Sequence, residues 1–429
     1  MNQIIEIFKE ITSIPRCSGT HTPFINYMQE LSKKAGFLCI VDEYKNILIK
    51  KEKSNPKLAF QSHYDIVCLS DNCVPIIVQD GDTLSAKNST LGSDNGIGCA
   101  YMIQLILDNV DAEYLFTSDE EIGLIGANNL TFELKAPNML NLDSEEEAGI
   151  CIGCAGGVDI FASNSNKKII LNDKNLDLYE ISISKLQGGH SGVDIDKNIP
   201  NGIKLIAETI KKANAKLLDI NGGERINSIP VNVKAIIASK DLPKSSHENM
   251  TITKIDTEVE QLNIYDDKVI DFIYNFENGV RSLNKDLGVV QNSINLAIIK
   301  TNSDEIKIEL SARSMANDEL AQLKDKTISM LKEHNFTVHT DGKYPAWKPD
   351  INDFTNKVLA IYKEVNPNAS LEAIHAGLEC AIFKDKYSHI KVASIGPSIE
   401  FPHSRKERVS IKSVENVFKV VQKIVKEIT

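Results

Sequence analysis

The sequence predicts an α/β fold in two domains, the second inserted into the first. Three observations predict it. Short apolar runs alternate with helical patterns over the first 180 residues, the pattern changes at about residue 178, and helices and strands alternate again after residue 346. Such alternation is typical of α/β sheets. The length of 429 residues suits two or three domains of ~150 residues.

The first segment begins with an amphipathic helix that ends before Pro15. Apolar strands are predicted at 47–51, 58–67, 114–119 and 138–144. A helix over 96–110 follows Ser93, Asp94 and Asn95, residue types that cap helices well. This arrangement indicates a sheet crossed by connecting helices.

The inserted segment reads as strand LYEISISKL, helix NGIKLIAETIKKANAKLL, a hairpin of INLAIIKT with EIKIELSARS, and helix LAQLKDKTISMLKEHN. After residue 349 come helix DFTNKVLAIYKEV, strand IKVASIG and helix VENVFKVVQKIVKEI. These last elements are expected to rejoin the first sheet.

Composition excludes several classes of protein. The 48 basic and 59 acidic side chains give a net charge of −11, which disfavours binding to nucleic acid and to anionic membranes. No apolar run reaches the ~20 residues of a membrane span, and the N-terminus lacks the features of a signal peptide. We therefore expect a cytoplasmic protein with no nucleic-acid or membrane partner, whose eight scattered cysteines are reduced thiols.

Five short segments place histidines or acidic residues where apolar strands end. They are 61–65, 90–98, 117–123, 141–147 and 396–404. In open α/β sheets, ligands bind at the carboxyl ends of strands. Four of the segments also have a plainer interpretation: His63 and Asp65 as an ordinary strand pair, Asp94 as a helix cap, and the two acidic runs as solvated loops.

Together the segments contain the residue types of a two-metal hydrolytic site. Two divalent ions ~3.5–4 Å apart need a bridging carboxylate and further ligands on each side, and a carboxylate outside the ligand set can take a proton from water. Two histidines and several carboxylates at strand ends fill these roles better than five unrelated coincidences do.

The motifs also occur together in one known family. They are His63-x-Asp65, Gly92-Ser93-Asp94-Asn95-Gly96, Asp119-Glu120-Glu121-x-Gly123, Leu142-Asp143-Ser144-Glu145-Glu146, Gly188-Gly189-His190-Ser191-Gly192, His375-Ala376-Gly377-Leu378-Glu379, and Gly396-Pro397 followed by His403-Ser404. In this order the chain resembles, over nearly its whole length, the zinc metallopeptidase family that includes carnosinases, aminoacylases and glutamate carboxypeptidases. Within that family it resembles the dipeptidases that cleave Xaa-His.

The resemblance implies a metal site with defined roles. His63 and Asp143 would hold one zinc ion, Glu121 and His403 the other, and Asp94 would bridge them. Manganese or cobalt are alternatives to zinc. The implied fold is a catalytic domain with a mixed central sheet flanked by helices, over 1–180 and 346–429, and a smaller inserted α/β lid domain over 181–345.

The resemblance also implies catalytic roles. Glu120 would be the general base. Asp65 would not bind the metal itself but would support the ligand His63. In this family the peptide bond before the residue that matches Asp94 is often strained or cis. His190 would stabilise the oxyanion, in its own subunit or across a dimer formed through the lid.

Three further residues match substrate-binding positions of the family. Arg313 and Asn295 would bind the carboxylate and backbone of a short peptide. His375 is either a pocket residue or an ordinary histidine at the start of a helix. The implied reaction is hydrolysis of dipeptides, with deacylation of N-acyl amino acids, cleavage of tripeptides, or peptide binding without catalysis as alternatives.

Overall fold

The computed structural model describes residues 3–69, 74–165, 169–173, 175–257, 261–285, 287–302 and 305–428. The chain forms two compact units. The first comprises Met1–Gly153, Pro349–Ala373 and Leu378–Thr429, and the second comprises Cys154–Lys348 and Ile374–Gly377.

The helices and strands of the described residues are as follows. The helices are α1 (Gln3–Thr12), α2 (Thr22–Ala35), α3 (Ser93–Leu107), α4 (Ile125–Asn128), α5 (Gly202–Lys212), α6 (Asp267–Asn275), α7 (Asn317–Glu333), α8 (Asp353–Lys363), α9 (Glu379–Lys386) and α10 (Ile411–Ile428). The strands are β1 (Leu38–Val41), β2 (Ile47–Lys50), β3 (Leu58–His63), β4 (Ile77–Asp80), β5 (Thr83–Ala86), β6 (Glu113–Thr117), β7 (Asn138–Asn141), β8 (Gly149–Cys154), β9 (Gly156–Asn164), β10 (Ile169–Leu171), β11 (Asp177–Ile183), β12 (Lys216–Gly222), β13 (Val233–Ser239), β14 (Met250–Ile255), β15 (Leu262–Ile264), β16 (Gly279–Asn284), β17 (Val289–Thr301), β18 (Ile306–Ser314), β19 (Thr337–Tyr344), β20 (Ser370–Ile374), β21 (Lys391–Ser394), β22 (Ile399–Glu400) and β23 (Arg408–Ser410).

The main sheet of the first unit is mixed, as predicted. Its order in the described residues is β1-β2-β6-β3-β7-β21-β8-β20. The four neighbours β6, β3, β7 and β21 are parallel, whereas β1 with β2, β2 with β6, and β21 with β8 are antiparallel. The carboxyl ends of the four parallel strands therefore meet at one edge of the sheet. A smaller sheet has the order β22-β23-β5-β4.

Helices of the first unit bury apolar faces in its core. In α10, Val414, Val417, Val421 and Ile424 are fully buried, and this spacing puts them on one side of the helix. The helix α3 is buried on nearly all sides, as expected for a crossing helix that is apolar around its circumference.

The second unit is built on a larger antiparallel sheet. Its order in the described residues is β14-β11-β13-β12-β17-β18-β9-β19, and β16 also pairs with β17. The helices α5 and α6 contribute buried apolar residues such as Ile206, Ile210 and Phe272 to its core. An inserted α/β unit was predicted, and its helices and sheet are present.

The boundary between the units differs from the one expected near residue 180. Residues 154–180 belong to the second unit, because β9 pairs with β18 on one side and β19 on the other. The second change of unit lies at 348–349, close to the expected 346, and the short segment Ile374–Gly377 also belongs to the second unit.

The expectation of reduced thiols was wrong for one pair of cysteines. Cys17 and Cys68 form a disulfide with their Cα atoms 5.7 Å apart, because Cys17 lies beside Ile66 in a short parallel bridge. Cys39, Cys99, Cys151, Cys154 and Cys380 are not disulfide-bonded, and Cys73 lies outside the described residues. No helix in the part of the chain that the structure describes is both long and apolar enough to cross a membrane.

Candidate metal centre

The five predicted metal ligands come together in the first unit. His63 is the last residue of β3, while Glu121 and Asp143 follow β6 and β7. His403 lies in the loop between β22 and β23, and Asp94 lies in the first turn of α3. Because the parallel strands end at one edge of the sheet, residues far apart in the chain meet there.

Asp94 lies between two pairs of side chains. Its Oδ1 atom is 3.0 Å from His63 Nε2, and its Oδ2 atom is 2.9 Å from His403 Nε2. His63 Nε2 is also 3.2 Å from Asp143 Oδ1, and His403 Nε2 is 2.9 Å from Glu121 Oε2. The Oδ1 atom of Asp94 thus faces the pair of His63 and Asp143, and its Oδ2 atom faces the pair of His403 and Glu121.

This arrangement fits two divalent cations. Ligand atoms of His63, Asp94 and Glu121 all lie within 4.8 Å of one another. Glu121 Oε1 is buried without a hydrogen bond. Buried carboxylates at such short range must share protons or a cation, and imidazole nitrogen with carboxylate oxygen is a donor set that zinc and its neighbours accept.

The pKa values reflect this crowding of buried acids. Burial raises the pKa of Glu121 and of Asp143, and the neighbouring charge of Asp94 adds to both effects. Burial also acts to raise the pKa of Asp94, but hydrogen bonds with His403 and His63 outweigh it and hold that pKa below its usual range. Asp94 is therefore the carboxylate that stays ionised most readily.

Glu120 follows β6, and hydrogen bonds between the backbone and Asp65 fix its position. Its N–H donates to Asp65 Oδ1 at 3.0 Å, and the N–H of Glu121 donates to Asp65 Oδ2 at 3.4 Å. Burial raises the pKa of Glu120 well above its usual value, and the charges of Asp143 and Glu121 raise it further. A carboxyl group with a raised pKa beside the ligand cluster suits proton transfer.

Asp65, which was predicted to support His63, contacts it mainly through its main chain. His63 Nδ1 lies 3.1 Å from the main-chain oxygen of Asp65 and 3.6 Å from its carboxylate. The Asp65 carboxylate instead accepts hydrogen bonds from Ser18 Oγ, at 2.7 Å, and from the two backbone groups after β6. Asp65 therefore joins the ends of β3 and β6.

The turn that carries Asp94 differs from both expectations for it. The N-cap of α3 is Gly92 at φ +70°, and no side chain caps this helix end, so Asp94 is not the cap. The cis peptide bond joins Asp94 to Asn95 and so follows Asp94, whereas the expected one precedes it.

A buried polar layer lies directly below the ligands, and sequence reasoning missed it. Glu379 accepts hydrogen bonds from Gln61 Nε2 at 2.6 Å and Thr117 Oγ1 at 2.8 Å, and Asn141 Nδ2 donates to Gln61 Oε1. Burial raises the pKa of Glu379 to about 8. Gln61 lies two residues before the predicted ligand His63 in β3, so both side chains lie on the same side of that strand, a signal that could have identified Gln61.

Glu145 is a second residue whose role the sequence did not indicate. Burial, together with the charges of Asp94 and Asp143, raises its pKa to about 8, although its surface is exposed to solvent. Glu145 extends the acidic surroundings of the cluster.

His190 lies in the second unit. Its Nδ1 atom accepts hydrogen bonds from the backbone N–H groups of Gly192 and Val193, both at 3.2 Å. In the neutral ring the proton therefore resides on Nε2, which makes Nε2 a donor. A Cβ atom at Gly192 would lie 2.7 Å from the main-chain oxygen of His375, so this loop packs tightly against the segment that carries His375.

The predicted substrate residues of the second unit form a buried polar group. Ser293 pairs with Arg313 across β17 and β18, and Ser293 Oγ lies 2.7 Å from His375 Nε2. Arg313 donates to the hydroxyl of Tyr344 at 2.7 Å, a partner that the sequence did not indicate. Asn295 is buried on the same strand as Ser293 and donates to the main-chain oxygen of Ser228 at 2.8 Å.

This group retains unused polar atoms. Arg313 Nε, Asn295 Oδ1 and His375 Nδ1 are buried without a hydrogen bond, and such atoms call for a partner. His375 lies between β20 and α9, so it does not begin a helix as the plainer interpretation had it. His190, Arg313, Asn295 and His375 all belong to the second unit, whereas the metal ligands belong to the first.

We expect His375 to make the protein sensitive to mild acid. Burial, helped by Arg313, lowers the pKa of His375 from 6.5 to about 3. Between these values the unfolded chain binds a proton that the folded chain does not, so stability falls as the pH falls from 6.5 towards 3. For one such group the loss between pH 7 and pH 5 is about 2 kcal/mol.

Urea unfolding at pH 7 and pH 5 measures this difference. His375→Gln should lose less stability between the two values than the wild type loses. The control His389→Gln replaces an exposed histidine and should lose as much as the wild type. Equal losses in all three proteins would contradict the assignment.

Comparisons with known proteins place the chain among peptidases. It is 31% identical to the cytosol non-specific dipeptidase of Escherichia coli K12 over an alignment of 476 positions, covering 99% of this chain and 97% of that protein. The crystal structure of aminoacylhistidine dipeptidase from Vibrio alginolyticus matches with a TM-score of 0.84 and 27% identity, over 100% of this chain and 96% of the other.

A tripeptidase structure from Staphylococcus aureus matches with a TM-score of 0.63 and 16% identity, over 99% of this chain and 98% of the other, a similarity of fold alone. A comparison with protein-family models gave no match.

Proposed function

The chain belongs to the metallopeptidase family of the cytosol non-specific dipeptidase, and from this premise we propose how it hydrolyses dipeptides. His63 and Asp143 would hold one divalent cation, Glu121 and His403 a second, and Asp94 would bridge the two. The observation that carries this assignment is that the two oxygens of Asp94 face separate histidines at 3.0 and 2.9 Å. We assign zinc, with manganese and cobalt as alternatives that accept the same donors.

The side chains of the protein supply the remaining steps. When bound, the two cations would make water more acidic and polarise the carbonyl of the scissile peptide bond. Glu120 would take a proton from the attacking water and deliver it to the departing amine. His190 would donate its Nε2 proton to the oxygen that gains negative charge.

The substrate would be held by its free carboxylate. Arg313 has a buried Nε donor without a partner, and a guanidinium group binds carboxylates through paired hydrogen bonds. Asn295 and His375 offer further unused atoms in the same group. This set favours short peptides with a free C-terminus, and the match to aminoacylhistidine dipeptidase supports Xaa-His as the preferred class.

The activity and its metal dependence can be tested together. Purified protein should hydrolyse Ala-His, lose the activity after treatment with a chelator, and regain it with zinc, manganese or cobalt. It should cleave Ala-His amide at least tenfold more slowly, because the amide lacks the charge that Arg313 binds.

Two results would count against this function. Activity that is indifferent to a chelator would contradict the metal site. Release of acetate from N-acetyl amino acids, or of amino acids from tripeptides, in preference to dipeptide cleavage would identify the deacylase or the tripeptidase instead.

We also place the protein in the cytoplasm as a homodimer that contacts its partner through the second unit, with no nucleic-acid or membrane partner. The relative from Escherichia coli is a cytosol protein by name, and the family resemblance supports the dimer. Sedimentation of the purified protein tests the dimer directly.

A further inference from the structure

Glu407 is a buried carboxylate that contacts the turn before Asp94. Its Oε2 atom accepts hydrogen bonds from the N–H of Leu91 at 2.8 Å and of Gly92 at 3.2 Å. Its Oε1 atom accepts from the N–H and the hydroxyl of Ser93 at 2.8 and 2.6 Å, and the N–H of Asp94 lies 3.5 Å away. One side chain thus binds four successive residues, although it is only 2% exposed.

Arg16 binds a main-chain carbonyl group of the same turn. Its guanidinium group is buried and donates to the main-chain oxygens of Gly92, at 2.7 Å, and Tyr64, at 3.0 Å. A Cβ atom at Gly96 would lie 2.4 Å from this guanidinium group. The turn is therefore fixed by a buried anion at its N–H groups and by a buried cation at its carbonyl.

Glu407 also belongs to the loop that carries His403. It lies four residues after that histidine, and its N–H donates to the main-chain oxygen of Ser404 at 3.2 Å. His403 Nε2 contacts Asp94 Oδ2 at 2.9 Å. The histidine and the bridging acid are therefore joined twice: by their own contact and through Glu407.

We propose that Glu407 is a positioning residue, which aims the Asp94 carboxylate at both cation sites by binding the backbone of the 91–94 turn. This inference rests on the proposed function, because it assigns Asp94 as the bridging ligand. Glu407 acts through the backbone, so its loss should weaken metal binding and turnover without altering the groups that bind the peptide. Residues that orient metal ligands change affinity or activity by about 10–100-fold when they are replaced.

The test compares Glu407→Gln with a matched control. Glutamine has an NH₂ group in place of one carboxylate oxygen of Glu407. This group is a donor and cannot accept the hydrogen bonds of the two backbone N–H groups that it faces, so we expect the turn to lose its fixed position. Asp82→Asn is the control, because Asp82 likewise accepts from a serine hydroxyl and a backbone N–H, those of Ser410 and Lys412, at the start of α10. Calorimetric titration of the metal-free proteins with zinc and steady-state hydrolysis of Ala-His are measured for each protein.

We expect Glu407→Gln to bind zinc at least tenfold more weakly and to lower kcat at least tenfold, with KM changed less than threefold. Glu407→Asp should recover part of the loss, and Asp82→Asn should match the wild type in both measurements. Wild-type zinc affinity and kcat in Glu407→Gln would overturn the inference. The inference would also be overturned if Glu407→Gln and Asp82→Asn lost zinc affinity and kcat to the same extent, and only in proportion to a lowered melting temperature.

Two further results keep the outcomes separate. If Glu407→Gln does not fold, the inference is tested with Ser93→Ala, which removes one hydrogen-bond donor to Glu407. Wild-type zinc affinity in Ser93→Ala would then overturn the inference. If the wild-type protein neither binds zinc nor cleaves Ala-His, the proposed function fails first, and the inference that rests on it falls as well.

Discussion

Replacing Glu120 by glutamine is expected to lower kcat for Ala-His by about 10²–10⁴-fold, the range that a general acid–base catalyst contributes. Glutamine has the same shape but cannot accept and return a proton. Glu120 is not among the five assigned ligands, and its backbone is held by Asp65. The variant should therefore still bind two metal ions per chain, which elemental analysis of the dialysed protein would measure.

The matched control is Glu133→Gln, which neutralises an exposed acid and should leave kcat unchanged. If Glu120→Gln retains wild-type turnover, Glu120 is not the base. If it loses turnover together with its metal, Glu120 acts as a ligand. The combination of lost turnover and retained metal is the result that the structure favours.

Replacing Asp94 by asparagine is expected to reduce the bound metal from two ions to at most one and to lower kcat/KM by about 10³-fold or more, since the two ions act as a pair on the reacting groups. The asparagine side chain keeps one acceptor oxygen but presents an NH₂ group where the second oxygen faced His403 or His63. Metal content and Ala-His hydrolysis are measured on the same preparation.

Asp108→Asn is the control for this substitution. It removes a carboxylate at the other end of α3, where Asp108 accepts a hydrogen bond from Gln104, so any general weakening of the helix appears in both variants. Two firmly bound ions in Asp94→Asn would show that Asp94 does not bridge. Equal losses in both variants would point to damage to the helix.

The assigned ligand positions rest mainly on a local signal in the sequence. An apolar strand that ends in a histidine or an acid is visible in a few letters, and parallel strands bring such ends together wherever the intervening chain runs. His63, Glu121 and Asp143 all follow this pattern. Asp94 and His403 needed the family resemblance in addition, because each lies in a turn and not at the end of a strand.

The residues that support the ligands could not be predicted in the same way. Glu407 contacts Leu91 across 316 positions of the chain, and Glu379 contacts Gln61 across 318. Glu407 stands in no pattern that separates it from a solvated charge, and Glu379, although it lies in a family motif, carries no sequence signal for its contact with Gln61. The pairing of Cys17 with Cys68 was missed for a related reason, since a sequence separation of 51 carries no signal by itself.

The boundary between the units was misplaced for a reason found in the chain itself. The change of unit lies between Gly153 and Cys154, at the last residue of β8, and β9 begins two residues later at Gly156. Gly153, Gly156 and Gly157 lie at the change, but no longer connecting segment separates β8 from β9, so the two successive strands read as parts of one sheet. The expected boundary near residue 180 followed a change of composition that lies inside the second unit.

The order of the ligands along the chain bears on how the protein matures. On the proposed assignment, His63, Asp94, Glu121 and Asp143 leave the ribosome early, and His403 emerges only after the whole second unit has been made. A nascent chain can therefore offer a place for one ion well before it offers a place for the other. The place for the second ion, and with it the assigned catalytic site, is therefore complete only after residue 403 has been made.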